Sequence, residues 1–226
     1  VDLVVETSAV FYSNLTDAEK ALLHLGKAPF GAHEFRDHVE QAIRSYYEAE
    51  LVDTSGNKSI KIAAKGSRLK ADVIPCVQYS WYKDLRVVAK GITFWTRSPA
   101  QQVISYPRAH IDNGISKNSD AHTKGWFKSA VRMFKNARER ILVTSPELRD
   151  HFPSYFVESL IYNASDNCFG SSFEETYANV AKDLANRFRL GTHTQFLCQN
   201  GLYSLFGASS VQWNEPHASE FVQQLS

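Results

Sequence analysis

The strongest constraint on the fold of this chain is a pair of predicted strands that each carry an aspartate. Asp2 directly precedes three aliphatic residues, and Asp72 lies in an apolar run that we place between Gly66 and Pro75. Aspartate is depleted in strands, so it usually faces water, caps a turn or holds a metal there. Two neighbouring strands with one carboxylate each would offer two oxygen ligands to Mg²⁺. Two unrelated edge-strand aspartates are the alternative.

Composition excludes several classes of protein. The chain has 226 residues, of which 43% are hydrophobic, enough for the core of one large or two small domains. Its 25 basic and 24 acidic residues leave a net charge of +1, which does not favour binding to nucleic acid or a membrane surface. No apolar run approaches the ~20 residues of a membrane span. Three distant cysteines predict buried, reduced thiols rather than a disulfide framework or a zinc site; they are Cys76, Cys168 and Cys198.

The first 100 residues predict a sheet of about four strands with two helices. The chain opens inside a strand, which predicts a preceding segment. A capping box from Thr16 to Glu19 begins one helix, and apolar residues at helical spacing from Phe35 to Ile43 predict the other. The remaining strands are expected around residues 60–64, around Asp72 and over 87–95.

The stretch over residues 98–118 is rich in proline, asparagine and polar residues, and it contains Asn113 followed by glycine. Asparagine before glycine is typical of a turn. Long connections without regular structure inside a compact domain are usually functional or disordered. The sequence therefore predicts a long functional loop here.

From residue 123 to the end, the chain is predicted to be mostly helical. A helix over 123–142 has an apolar stripe and a separate basic stripe with no interleaved acid. The basic stripe is typical either of a solvated face or of an anion-binding wall; its members are Lys124, Lys128, Arg132 and Lys135. A second helix is expected to begin near Pro153 with Ser154 as its cap, where free backbone N–H groups favour anions. Further helices are expected over 173–189 and 221–225.

In this order and spacing, the motifs resemble the polymerase-β-type nucleotidyltransferases. The branch they resemble is the bacterial CD-NTases, relatives of animal cyclic GMP–AMP synthase and of the 2′-5′ oligoadenylate synthetases. The resemblance implies an α+β fold: a polymerase-β-like core over residues 1–100, with a mixed sheet flanked by helices, packed against a mostly helical C-terminal lobe over 101–226 that completes the nucleotide pocket. The motifs that carry it are Asp2-Leu3-Val4-Val5, Ala71-Asp72-Val73-Ile74-Pro75, Tyr106-Pro107 through Asn113-Gly114 to Lys117-Asn118, the helix ending in Lys135, and Pro153-Ser154-Tyr155 through Leu160.

The resemblance also implies roles for single residues. Asp2 and Asp72 would be catalytic metal ligands for Mg²⁺ or Mn²⁺, with Asp72 on the metal that activates the attacking hydroxyl and Asp2 bridging two metals. The family's first acid and its Gly-Ser loop would lie before Val1. The residues implied to bind the nucleotide are Lys135 and Ser154 at the phosphates, Tyr155 stacked on a base, Lys128 beside them, and Asn113 and Arg132 as further candidates.

As a function, the resemblance implies a Mg²⁺-dependent enzyme that condenses nucleoside triphosphates, ATP with GTP, UTP or CTP, into a cyclic di- or trinucleotide messenger for antiphage defence. Two alternatives are open. One is synthesis of a linear oligonucleotide or nucleotidyl transfer to protein or RNA, and the other is an inactive nucleotide sensor. We further expect a cytoplasmic monomer without membrane contact or a nucleic-acid activator, acting with regulatory proteins and a separate effector that binds the messenger.

Overall fold

The computed structural model describes residues 2–170, 172–209 and 211–225. The chain divides between Tyr106 and Pro107 into two compact units. The first unit combines a sheet with two helices, and the second is mostly helical. The α+β class that the sequence predicts is therefore confirmed.

The first unit contains a six-stranded sheet. Its strands in chain order are β1 (Asp2–Ser13), β2 (Val52–Asp53), β3 (Ile60–Ile62), β4 (Ala71–Lys83), β5 (Arg86–Trp95) and β6 (Gln102–Ser105). The central strand β4 pairs in parallel with β1 and antiparallel with β3 and β5, while β2 and β6 extend the sheet at its two ends. The four predicted strands are present, and the prediction missed β2 and β6 because each is too short to show a period-two pattern.

The sequence predicts that Pro75 ends a strand. In the structure, Pro75 instead lies inside β4. It is aligned with Val5 of β1. On the other side of β4, the pairing with β3 stops at Val73 and the pairing with β5 begins at Val77. Pro75 thus falls in the gap between two ladders, where a missing backbone N–H costs no ladder hydrogen bond.

Two helices accompany the sheet: α1 (Asp17–Leu22) and α2 (Ala32–Tyr46). The capping box that opens α1 is confirmed, since the Thr16 hydroxyl accepts from the Glu19 backbone N–H at 3.3 Å and the Glu19 carboxylate accepts from the Thr16 N–H at 2.8 Å. The apolar side of α2, with Val39 and Ile43, packs with Tyr47 on a cluster of strand residues. The buried members of that cluster are Val52, Ile60, Ile62 and Val73.

In its described residues, the second unit packs five α-helices around an aromatic core: α3 (Pro107–Lys117), α4 (Phe127–Thr144), α5 (Ser154–Tyr162), α6 (Phe173–Arg189) and α7 (Glu215–Gln224). The core contains fully buried phenylalanines, among them Phe134, Phe156 and Phe221 from three of these helices and Phe152 from the segment before α5. Among the described helices, none combines the length and the hydropathy that crossing a bilayer requires.

The prediction of a long loop over 98–118 is wrong, because β6 and α3 occupy most of that stretch. Pro107 is the first residue of α3, a position where proline's missing N–H is not needed. Asn113 and Gly114 lie inside α3 rather than in a turn. A Cβ at position 114 would come within 2.5 Å of the Gln199 side-chain nitrogen, so Gln199 packs closely against this glycine. The helix forms here despite the local preference of Asn-Gly for a turn.

The helix α4 begins later than predicted. Lys124 and Gly125 have φ values of 50° and 81°, in the left-handed region, so the helix starts at Phe127. Lys124 is therefore not on the basic stripe of the helix. The apolar stripe is confirmed, since Phe127 and Phe134 are buried in the core.

The cysteines follow the prediction in two cases of three. Cys76 and Cys198 are buried, and burial raises the pKa of each thiol to about 12. Cys168 is only partly buried. All three are free thiols.

Candidate active site and family

The structure brings together the two aspartates that the sequence predicts side by side. The parallel register of β1 and β4 aligns Asp2 with Asp72. Aligned residues of neighbouring strands, about 4.8 Å apart, project to the same face of the sheet. Asp2 is exposed and Asp72 is half-buried. Within residues 2–170, 172–209 and 211–225, neither carboxylate has a hydrogen bond or an ion pair, although Lys61 of β3 is aligned with Asp72 on its other side.

This carboxylate pair fits a hard divalent cation. Mg²⁺ binds through one or two carboxylates and keeps several waters, so it does not need an all-protein cage. Two adjacent carboxylates without a cationic partner also repel each other, and a bound cation removes that repulsion. In the described part of the chain, no group of three or more histidine, cysteine, aspartate or glutamate side chains could hold a metal. Asp2 and Asp72 are the metal-binding candidates because the strand register aligns their two carboxylates.

The second unit contains a cavity of about 390 Å³, lined by α3, α4, α5 and the segment around Gln199. Its lining combines aliphatic and aromatic side chains with three cations and one carboxylate. The lining residues are His110, Ile111, Gly114, Ile115, Phe127, Lys128, Val131, Arg132, Lys135, Glu158 and Gln199. An apolar cavity with a cationic wall suits a ligand that has a flat ring and an anionic tail.

The cations of this wall come from α4, where Lys128, Arg132 and Lys135 line the cavity. The Lys135 ammonium donates a hydrogen bond to the carboxylate of Glu158 on α5. Among the described residues, Lys128 and Arg132 have no carboxylate partner. The absence of an interleaved acid on the stripe therefore does not leave Lys135 unpaired, because its carboxylate partner comes from a different helix.

Glu158 also accepts a hydrogen bond from Nε2 of His110 at 2.8 Å. Burial raises the pKa of Glu158, but the hydrogen bonds from His110 and Lys135 lower it by more, so the pKa lies below the usual range for a glutamate. The carboxylate is therefore ionised at neutral pH. Neither Glu158 nor His110 was assigned a role from the sequence.

Tyr155 on α5 belongs to a stack of rings. Its ring lies 4.7 Å from the His110 ring at an interplanar angle of 25°, and 5.6 Å from Trp213 at 24°. The Tyr155 hydroxyl accepts a hydrogen bond from the Asn200 side chain at 3.2 Å. Burial raises the pKa of Tyr155, so the phenol stays protonated. Tyr155 thus contacts His110, which lines the cavity.

The prediction that Ser154 caps α5 is wrong. The N-cap residue is Pro153, and Ser154 is the exposed first residue of the helix. Its hydroxyl accepts a hydrogen bond from Nη1 of the buried Arg138 at 3.2 Å. The serine therefore lies beside a buried guanidinium, an arrangement that local sequence rules for helix capping do not predict.

Asn113 acts on the shape of the cavity through Gln199. Its side-chain amide donates to the Gln199 carbonyl oxygen at 2.8 Å, while the Gln199 side-chain amide donates to the His110 carbonyl oxygen at 2.9 Å. Gln199 is 95% buried, a location that its polar side chain does not predict. No local pattern identifies this glutamine, because its partners lie far away in the sequence.

Comparison with known proteins places these features in a family. Residues 112–226 match the family model described as the cGAS/DncV-like nucleotidyltransferase C-terminal helical domain. The whole chain is 36% identical over 229 residues to a cyclic UMP-AMP synthase of Rhodothermus marinus and covers 76% of it. It is 30% identical over 239 residues to the cyclic nucleotide synthase CdnE01 of Staphylococcus haemolyticus and covers 77% of that protein.

A solved structure gives the same result. The fold matches that of the Rhodothermus marinus CdnE c-UMP-AMP synthase with Apcpp and Upnpp at a TM-score of 0.87, over 99% of this chain and 75% of that chain. The matched fold and the 36% identical relative define the class of this chain, which is a nucleotidyltransferase. The chain belongs to the cGAS/DncV-like nucleotidyltransferases, the CD-NTases, which confirms the resemblance that its sequence carries.

Proposed function

We propose that this chain condenses nucleoside triphosphates into a cyclic di- or trinucleotide and releases pyrophosphate. Its relatives from Rhodothermus marinus and Staphylococcus haemolyticus are both cyclic nucleotide synthases by name. The observation that carries the proposal is the cavity of the second unit, where apolar side chains adjoin Lys128, Arg132 and Lys135. A nucleoside triphosphate has the matching parts, a flat base and an anionic tail.

The phosphates are the part of the substrate that this wall would bind. The ammonium of Lys135 and the charges of Lys128 and Arg132 would balance the negative charge that builds up on the leaving pyrophosphate. Hydrogen bonds to charged phosphate oxygens are among the stronger ones in proteins. The roles of Ser154 at the phosphates and of Tyr155 beneath a base rest on the family resemblance, because neither residue is in the described lining of the cavity.

Asp2 and Asp72 would hold Mg²⁺, or Mn²⁺ in its place. A divalent ion bound there would supply charge stabilisation for the phosphoryl oxygens. In the transfer, a ribose hydroxyl oxygen forms a bond to the α-phosphorus as the bond to pyrophosphate breaks. Asp72 would accept the proton of that hydroxyl, and Asp2 would help keep the ligand oxygens aligned on the same face of the sheet.

The first substrates to test are ATP and UTP. The Rhodothermus marinus relative is a cyclic UMP-AMP synthase by name, and its solved structure contains Apcpp and Upnpp. The further biological proposal is a monomeric cytoplasmic enzyme of antiphage defence, working with regulatory proteins, whose product acts on a separate effector. Balanced overall charge supports the expectation that no nucleic acid is needed for activation.

The test is product formation from the four nucleoside triphosphates with Mg²⁺, followed by phosphatase digestion and chromatography. We expect a phosphatase-resistant product from the wild type that is lost in Asp72→Asn. The matched control is Asp84→Asn, which removes the same charge from the exposed turn after β4 and should retain the product. A product that phosphatase degrades would favour the linear-oligonucleotide alternative. Nucleotide binding without any product would favour the inactive sensor.

A further inference from the structure

The second unit contains two clusters with the same chemistry, a carboxylate between a lysine and a histidine. In the first cluster Glu158 accepts from Lys135 and from His110. In the second, Asp166 accepts from Lys117 at 2.5 Å and from His122 at 2.7 Å. Only the first cluster belongs to the described lining of the 390 Å³ cavity. The same arrangement thus occurs once at the candidate nucleotide site and once away from it.

Glu158 joins three helices through one carboxylate. His110 lies on α3, Lys135 on α4 and Glu158 itself on α5. The side chains of His110, Glu158 and Lys135 are 14%, 25% and 31% exposed, so solvent screens these contacts less than those of a surface pair. A lysine side chain has four rotatable bonds, and its ordering costs free energy whenever it must reach a ligand. Because Glu158 already holds the Lys135 side chain in place, less conformational freedom is lost when a ligand binds.

The pair with Glu158 leaves the wall attractive to an anion. An ammonium has three N–H donors, and the hydrogen bond to Glu158 uses one of them. Within the described part of the chain, Lys128 and Arg132 have no carboxylate partner, so three cations face one carboxylate. Glu158 therefore orders Lys135 without cancelling the positive charge of the wall.

His110 is oriented by the same carboxylate. An ionised carboxylate only accepts hydrogen bonds, so Nε2 of His110 carries the proton. Its other ring nitrogen, Nδ1, is buried and has no hydrogen-bond partner among the described residues. The His110 ring stacks on Tyr155 at 4.7 Å. Glu158 thus sets both the tautomer of His110 and the position of its ring.

We propose that Glu158 is a positioning residue of the nucleotide site: it holds the Lys135 ammonium ready for a phosphate group of a nucleoside triphosphate and holds His110 in its Nε2-protonated tautomer. This inference rests on the proposed nucleotide binding by the second unit. In this role Glu158 acts on the substrate through Lys135 and does not contact the substrate itself.

The first experiment measures the affinity for a non-reacting ATP analogue, α,β-methylene ATP, by calorimetry with Mg²⁺. The variants are Glu158→Gln, Lys135→Gln, the double variant, and Asp166→Asn as the matched control. We expect Glu158→Gln to weaken binding about fivefold and Lys135→Gln about tenfold or more. The double variant should bind no more weakly than Lys135→Gln alone, because the two residues act as one unit. Asp166→Asn should stay within about twofold of the wild type, since its cluster lies apart from the cavity lining.

The second experiment records the ¹⁵N spectrum of the imidazoles. Glu158→Gln should change the tautomer signature of His110, and Asp166→Asn should leave it unchanged. If Glu158→Gln does not fold, Glu158→Asp is used instead. Aspartate retains the negative charge, but its side chain is one methylene shorter, so the carboxylate lies farther from Lys135 and His110. We then expect an affinity between those of the wild type and Lys135→Gln.

Three results would overturn the inference. One is binding by Glu158→Gln, or by its aspartate replacement, that equals or exceeds the wild-type affinity. Another is a loss of affinity on Glu158→Gln that is the same in the wild-type background and in the Lys135→Gln background. The third is a ¹⁵N tautomer signature of His110 that Glu158→Gln leaves unchanged. A wild type that binds the analogue but makes no product would refute the proposed synthase function and leave this inference standing. A wild type that does not bind the analogue would refute both.

Discussion

The acids of the two units are held in opposite ways. Asp2 and Asp72 are aligned on neighbouring strands and, within the described residues, neither has a cationic or hydrogen-bonding partner. Glu158 and Asp166 each accept hydrogen bonds from a lysine and a histidine. Satisfied carboxylates stabilise the fold and position their neighbours. Adjacent carboxylates without a cationic side chain beside them carry a charge that a bound metal ion can neutralise.

The largest expected effect is on Asp2 and Asp72. Asp2→Asn and Asp72→Asn should each lower the rate of product formation by at least about a hundredfold, because each would remove a charged ligand from the proposed metal site. The double variant should be no slower than the slower single variant, since the two act as a unit. Initial rates of phosphatase-resistant product measure this, and electron paramagnetic resonance with Mn²⁺ measures metal binding. Rate losses that multiply in the double variant would show that the two carboxylates act independently.

A smaller effect is expected for Lys128 and Arg132, the two cavity cations that have no carboxylate partner among the residues the structure describes. The double variant Lys128→Gln with Arg132→Gln should weaken binding of the ATP analogue about tenfold, and binding of AMP less, because AMP has fewer phosphate charges. Isothermal titration with both ligands measures the difference. Lys124→Gln is the matched control, because Lys124 lies outside α4 and does not line the cavity. An equal loss of AMP and triphosphate affinity would place the phosphate tail elsewhere.

The comparison also predicts that removing an acid affects the free energy of unfolding differently in the two units. Asp166→Asn should lower the free energy of unfolding by about 0.5–1 kcal/mol, a modest loss because Asp166 is 39% exposed and solvent screens its ion pairs. Asp2→Asn without metal should leave stability unchanged or raise it slightly, since it removes repulsion with Asp72. Urea unfolding in EDTA measures both variants. A destabilised Asp2→Asn would show that this aspartate has a favourable partner.

The smallest effect concerns acid pH. The pKa of Glu158 is lowered in the folded state, so its contribution to stability is complete above the unfolded value of about 4.3 and is lost as pH falls through the lower folded value. Glu158→Gln should therefore show a shallower loss of stability than the wild type below about pH 4.3. Unfolding free energies measured between pH 3 and 6 provide the comparison. Parallel curves would mean that the carboxylate is not stabilised by His110 and Lys135.

Elements whose signals are local could be predicted from the sequence. The capping box of Thr16 and Glu19 and the apolar stripe of α4 depend on residues within a few positions of each other. The location of Asp2 and Asp72 on strands also followed from the apolar residues around them, whereas their alignment depends on the pairing of two distant strands. The order of these motifs was sufficient to indicate the family.

The tertiary structure alone decided the environment of the pocket. Glu158 is 23 residues from Lys135, and Gln199 is 89 residues from His110, so no periodicity connects either pair. The helix α3 occupies a stretch with turn signals, and its Gly114 packs closely against the distant Gln199. Local propensities are worth fractions of a kcal/mol per residue, and packing contacts between distant segments exceed them. For this reason the sequence by itself determined the family, the strand-borne acids and the basic helix. Only the folded chain determined that Lys135 is the paired cation and that it shares the Glu158 carboxylate with His110.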